Sequence, residues 1–137
     1  MLSDVNIRTR DHQNLEDFLA DQDFVVEKLT DTVVKVTRFM ELPVFIQREG
    51  DSLYFEVDLG NVSEIADEEF YIKCLDLNTE ILPVSIGLDK TNADDPRLVL
   101  VESRESQNLD DNEIMSVFNA LELATDRVEE LLSSYVK

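Results

Sequence analysis

His12 and Cys74 are the single histidine and the single cysteine of this chain. A structural zinc site needs four Cys or His ligands, so these two, far apart in sequence, do not make one. The stretch DKTNADDPR offers Asp89, Asn92, Asp94 and Asp95 as oxygen ligands. It lacks the acidic spacing, the glycine and the closing glutamate of an EF-hand loop, and reads as a solvated hairpin loop. Nucleophilic catalysis has no G-x-S-x-G motif to rest on, and one histidine near a chain end is a poor general base. Glu68-Glu69 and Glu129-Glu130 are paired carboxylates on paper. Neighbours on a helix point about 100° apart, so neither pair converges on one site. Gly50, Gly60 and Gly87 are the only glycines, too scattered to cradle a phosphate. Asn61-Val62-Ser63 matches a glycosylation sequon. The opening MLSDVNIRTRDHQ has no apolar signal core, so the match reads as chance. No metal, cofactor or catalytic set is expected.

What remains is surface for a partner. DEEFYIKCLDLNTEI is predicted as a helix over about 67–80, with Asp67, Glu68 and Glu69 in the first turn, where the helix dipole favours acids. Phe70, Cys74, Leu77 and Ile81 define one apolar stripe at helical spacing. Tyr71, Leu75 and Asn78 form a second beside it. Only one stripe can face the helix's own sheet, unless both are core. The expected dimer or partner surface comprises Phe70, Tyr71, Cys74, Leu75 and Asn78, with Asn78 a polar contact at its rim. Pro83 is expected to end the helix. The run from Ile81 to Leu88 carries no charge, and LPVSIGL reads as a central strand apolar on both faces.

That uncharged run stands out because the chain holds 31 acidic and 12 basic residues, a net of 12 − 31 = −19. Such a surface repels phosphate backbones and anionic lipid, so nucleic acid and membrane are not expected partners. It favours a basic protein partner. One cysteine allows no intramolecular disulfide, which fits a reducing compartment. No apolar run approaches the ~20 residues of a membrane span. A cytoplasmic protein is the expectation.

The positioning elements follow from periodicity. Residues 1–10 are polar and expected to be loose within a single domain of residues 1–137. Leu15, Phe18 and Leu19 predict a short helix over about 12–21, with Asp11 as its N-cap. FVVEKLTD, VVKVTRF and VFIQREG read as strands, with Val34 and Val36 or their neighbours inward. Gly50-Asp51 turns the chain into SLYFEVDLG, where Leu53, Phe55 and Val57 face one way. Gly60-Asn61 is expected to end this meander. RLVLVESRE pairs with the strand before it. Asp110 resembles the cap of a long helix over about 111–135, whose stripe includes Ile114, Val117, Phe118, Leu121, Ala124 and Val128. The result is an α+β fold: an antiparallel sheet of about five strands flanked by helices, in the order α-β-β-β-(β)-α-β-β-α.

This order, over residues ~11–136, resembles the type III secretion chaperone-like fold. The passage EEFYIKCLDLNTEILPVSIGLD, with RLVLVESRE and the terminal helix, is similar to small bacterial proteins labelled domain of unknown function 2170. The resemblance implies a homodimer paired through the middle helix, which holds an extended segment of a client on apolar patches without ATP. The expected function is thus a non-catalytic, chaperone- or adaptor-like module that binds a protein client, a basic one by charge. The alternative is an acidic mimic or regulator that sequesters a basic or nucleic-acid-binding protein. The least favoured is an enzyme with an unrecognised carboxylate site.

Overall fold

The computed structural model describes residues 1–8 and 13–135. After a 3₁₀ turn, Leu2–Asp4, the chain forms α1 (Leu15–Asp21), β1 (Val25–Lys28), β2 (Val33–Thr37), β3 (Val44–Glu49) and β4 (Ser52–Asn61). Then come α2 (Glu68–Asn78), β5 (Ser85–Asp89), β6 (Arg97–Glu105) and α3 (Asp111–Ser133). The strands make one antiparallel sheet in the order β1-β2-β3-β4-β6-β5. It has six strands where about five were expected, because Val25–Lys28 pairs with β2 as a strand of its own.

The strand pattern is the expected one in the meander. Val34, Val36, Leu53, Phe55 and Val57 are buried against the helices. Gly50 opens the β3–β4 turn at φ +59°, a region that favours glycine. β4 ends at Asn61, so Gly60-Asn61 closes the meander as expected, with Gly60 at φ +106° beside a register shift near the end of the strand.

The uncharged run departs further from expectation. It does not form a central strand: β5 is an edge strand, because β6 inserts between it and β4. Nor is it apolar on both faces. Ile86 and Leu88 share the inward side with their register partners Leu100 and Leu98, while Ser85 and Gly87 face out. The helix before it stops at Asn78, ahead of Pro83. The Asn78 side chain accepts the Ile86 backbone N–H at 2.6 Å, and so ties the helix end to β5.

Two N-terminal expectations also change. Residues 1–8 are not loose: Leu2, Val5 and Ile7 are buried in the core. The Ile7 N–H donates to the Gln13 carbonyl at 2.7 Å, and the Arg8 N–H to that of Leu109 at 2.6 Å. The cap of α1 is Asn14, whose Oδ1 accepts from the Asp17 N–H; Asp11 lies outside the described residues. At the other end Asp110 caps α3 as expected, accepting the Glu113 N–H at 2.7 Å.

One buried charge pair interrupts the core face of β6. Glu102 is the register partner of Phe55 and is 5% exposed. Arg104 donates from Nη2 to its Oε1 at 2.8 Å, but Glu102 Oε2 and Arg104 Nε have no partner. Burial pushes the Glu102 carboxyl up, and Arg104 pulls it partly back. A raised carboxyl binds its proton more tightly folded than unfolded, so stability should rise as pH falls through that window. Glu41 and Glu56 are shifted the same way, first by burial. Asp89 and Asp95 are shifted down, so their opposing loss begins as pH falls into the ordinary Asp range, below about pH 5. Urea melts between about pH 7 and about pH 5 should therefore show rising stability, and Glu102→Gln should flatten the slope. An unchanged slope in the variant would remove Glu102 from this account.

Candidate partner-binding surfaces

Of the residues that could do chemistry, Cys74, Asp89 and Asp95 are engaged in holding the fold. His12 lies outside the described residues. Cys74 is buried, and burial pushes its thiol up, away from thiolate reactivity. Asp89 accepts from the Thr91 hydroxyl at 2.6 Å and from its N–H at 2.9 Å. Asp95 accepts from Asn61 Nδ2 at 2.7 Å and from Arg97 Nη1 at 3.3 Å. These bonds hold both carboxyls below their ordinary range and brace the β5–β6 loop. Among the described residues no three His, Cys, Asp or Glu side chains are placed to hold a metal. Glu68, Glu69, Glu129 and Glu130 are exposed, and Glu69 pairs with Lys73 at 3.3 Å.

A carboxylate pair that the sequence did not reveal is Glu41 with Glu122, brought together by the β2–β3 loop and α3. Arg38 Nη2 donates to Glu122 Oε2 at 2.6 Å, and its guanidinium lies 5.1 Å from the Phe24 ring centroid. Burial first, then the Glu122 charge, raises the Glu41 carboxyl. These groups border a cavity of about 20 Å³ lined by Phe24, Val36, Val57 and Phe118. That is room for about one water. The arrangement clamps the loop to α3.

Helix α2 divides as its periodicity requires, though not along the expected line. Phe70, Cys74 and Leu77 are buried. Phe70 meets the Tyr135 ring edge-on at 5.3 Å between centroids. Phe70 and Cys74 therefore belong to the core rather than to the partner surface, since i, i+4 spacing aims both at the sheet. Asn78 is committed to β5. The residues left outward are Tyr71, Leu75 and also Ile72, three positions before Leu75 and missed because it falls beyond the second stripe, on the side away from the first.

A second surface is the sheet face turned away from the helices. The core cluster joins α1, α2 and α3 to one set of strand residues. On the opposite set, Val33, Phe45, Gln47, Tyr54, Glu56 and Val101 line a shallow cleft. Phe45, Glu56 and Val101 are consecutive register partners across β3, β4 and β6. At the sheet's end the β2–β3 loop presents Phe39 and Met40, 89% and 86% exposed.

A comparison with protein families matches residues 8–137 to the model described as CesT_Tir_1, a type III secretion chaperone family. That agrees with the broader likeness read from the sequence. No curated protein matches the chain. Two solved structures share the fold. One is a chain of the heterodimeric ExoU–SpcU complex from the type III secretion system of Pseudomonas aeruginosa. It has 18% identity and a TM-score of 0.66, over 82% of this chain and 93% of that one. The other is YbjN, a putative transcription regulator from E. coli, with 15% identity and a TM-score of 0.70, over 88% and 90% of the two chains. Among the described residues no helix is long and apolar enough to cross a membrane.

Proposed function

Because the chain belongs to the CesT_Tir_1 family of type III secretion chaperones, we propose that it is a non-catalytic module that pairs as a homodimer and holds a segment of a client protein. The observation that carries this reading is the one-sided packing of the fold. Helices cover one face of the sheet, and the other keeps Val33, Phe45, Tyr54 and Val101 around an open cleft. Apolar side chains grouped on an uncovered surface favour a partner. The outward stripe of α2, Tyr71, Ile72 and Leu75, supplies a separate surface suited to a second copy. The ExoU–SpcU complex joins two different proteins on a related fold, which supports a protein client.

The mimic reading rests on the −19 charge. It needs acids in an uninterrupted row, like phosphates. On the open face Arg97 intervenes, bound to Asp58 at 3.2 Å and to Asp95 at 3.3 Å, which favours the client reading.

Photo-crosslinking in the source cell tests both halves. A photoreactive residue at Tyr54 is expected to capture a different protein, and one at Leu75 a second copy of this chain. The absence of any heterologous product at Tyr54, with the protein folded and abundant, would sink the client half.

A further inference from the structure

We propose that the client segment on the open sheet face carries a lysine or arginine between apolar side chains, and that Glu56 is the residue that reads it; this rests on the client-binding reading above. Glu56 lines the cleft with Val33, Phe45, Tyr54 and Val101. Its register neighbours are Phe45 on one side and Val101 on the other, so a carboxylate stands between two apolar side chains. Two cations on this face, Arg97 and Lys35, do not pair with Glu56 within 4.0 Å. Arg97 is taken by Asp58 and Asp95. Lys35 is the register partner of Phe45, one strand beyond Glu56. Among the described residues no ion pair within 4.0 Å joins Glu56 to a Lys or Arg, while nine other pairs form among them.

The surroundings add to that imbalance. Burial is the first cause that pushes the Glu56 carboxyl up, and the charges of Asp89 and Asp58 push it further. A half-buried carboxylate with acids beside it gains most from a cation that arrives with its own apolar neighbours. The cation neutralises the charge while those neighbours cover Phe45 and Val101. An anionic segment would bring like charges together. A wholly apolar one would bury Glu56 with no partner, the costlier error in a water-excluded contact. The net charge of −19 further speeds the approach of cationic segments and slows anionic ones. Specificity at this face thus comes from one polar residue set among apolar ones, the usual division of labour in a binding cleft.

Two synthetic twelve-residue peptides make the probe, identical in their apolar residues, with either lysine or glutamate at the alternating positions. Titration by calorimetry should show the lysine peptide binding and the glutamate peptide not binding. Glu56→Gln should weaken the lysine peptide about tenfold, the scale of one charge-assisted hydrogen bond. Glu129→Gln, the same charge change on the exposed far side of α3, should change it less than about twofold. Circular dichroism should find both variants folded. Equal losses in the two variants would assign binding to the diffuse acidic field and overturn the role of Glu56. No binding of the lysine peptide would overturn the cationic-client inference. A heterologous crosslink at Tyr54 would then leave the client reading standing, and its absence would remove both.

Discussion

Replacing Leu75 with glutamate should split the proposed homodimer and leave a folded monomer, whereas Leu77→Glu should unfold the domain. The two positions are separated by one residue and differ in what surrounds them. Leu75 is 68% exposed on the single chain and Leu77 is 8% exposed against the core. A glutamate at 75 is solvated in the monomer and costs little there. In a dry two-fold contact the same charge meets its own copy across the axis, so each dimer carries the penalty twice. The chain's −19 charge sharpens the effect, because the new carboxylate enters an already negative field. At 77 the charge has no such refuge. Breaking into the core with an unpaired charge costs several kcal/mol, comparable with the whole stability of a domain of this size, roughly 5–15 kcal/mol. Ile72→Glu should behave as Leu75→Glu does, since it is exposed on the same side of α2. Sedimentation velocity with circular dichroism separates these outcomes. Wild type that sediments as a monomer at high micromolar concentration would end the dimer reading. Unfolding of both Leu75→Glu and Leu77→Glu would mean that the outward side of α2 is core.

Parts of this fold were legible because one face of each element is buried and its period is short. Leu53, Phe55 and Val57 alternate, and Ile114 to Val128 recur at helical spacing; both sets are buried. The edge position of β5 was not legible, since a strand's neighbours are decided by pairing with a distant segment, here β6. Nor was the packing of Leu2, Val5 and Ile7: three apolar residues in a polar stretch are too few to set a period. The Glu41–Glu122 pair depends on a loop meeting a distant helix. Glu102, by contrast, left a readable trace. It continues the parity of Leu98 and Leu100 along β6, so an acid at that position had to point into the core. The candidate surface was legible in part. Tyr71 and Leu75 are outward as expected, but Phe70 and Cys74 serve the core, and the open sheet face shows only once the three helices are known to share one side.

Phe118→Ala should be the most damaging of the core truncations, at about 3–5 kcal/mol. Its ring lies 4.6 Å from that of Phe24 and 6.2 Å, edge-on, from that of Phe55. One side chain on α3 therefore touches both the chain entering β1 and the centre of β4. Removing it takes away the transfer energy of a buried ring and the aromatic contacts, and leaves a void. That void would join the small cavity which Phe118 already lines with Leu121, Phe24 and Val57. The walls are a paired sheet and a long helix, which collapse poorly, so the cost should fall at the upper end of the range. The clamp on the β2–β3 loop should loosen as well, because Arg38 lies over the Phe24 ring and pairs with Glu122 one turn beyond Phe118. Leu121→Ala removes a smaller group from the same void and should cost about 2–5 kcal/mol. Leu123→Ala, on the exposed side of the same helix, should stay within about 0.5 kcal/mol of wild type. Urea melts at constant pH measure all three. If Phe118→Ala and Leu121→Ala each lost less than about 0.5 kcal/mol, α3 would not be docked on the sheet, and the one-sided packing that leaves the other face open to a client would lose its foundation.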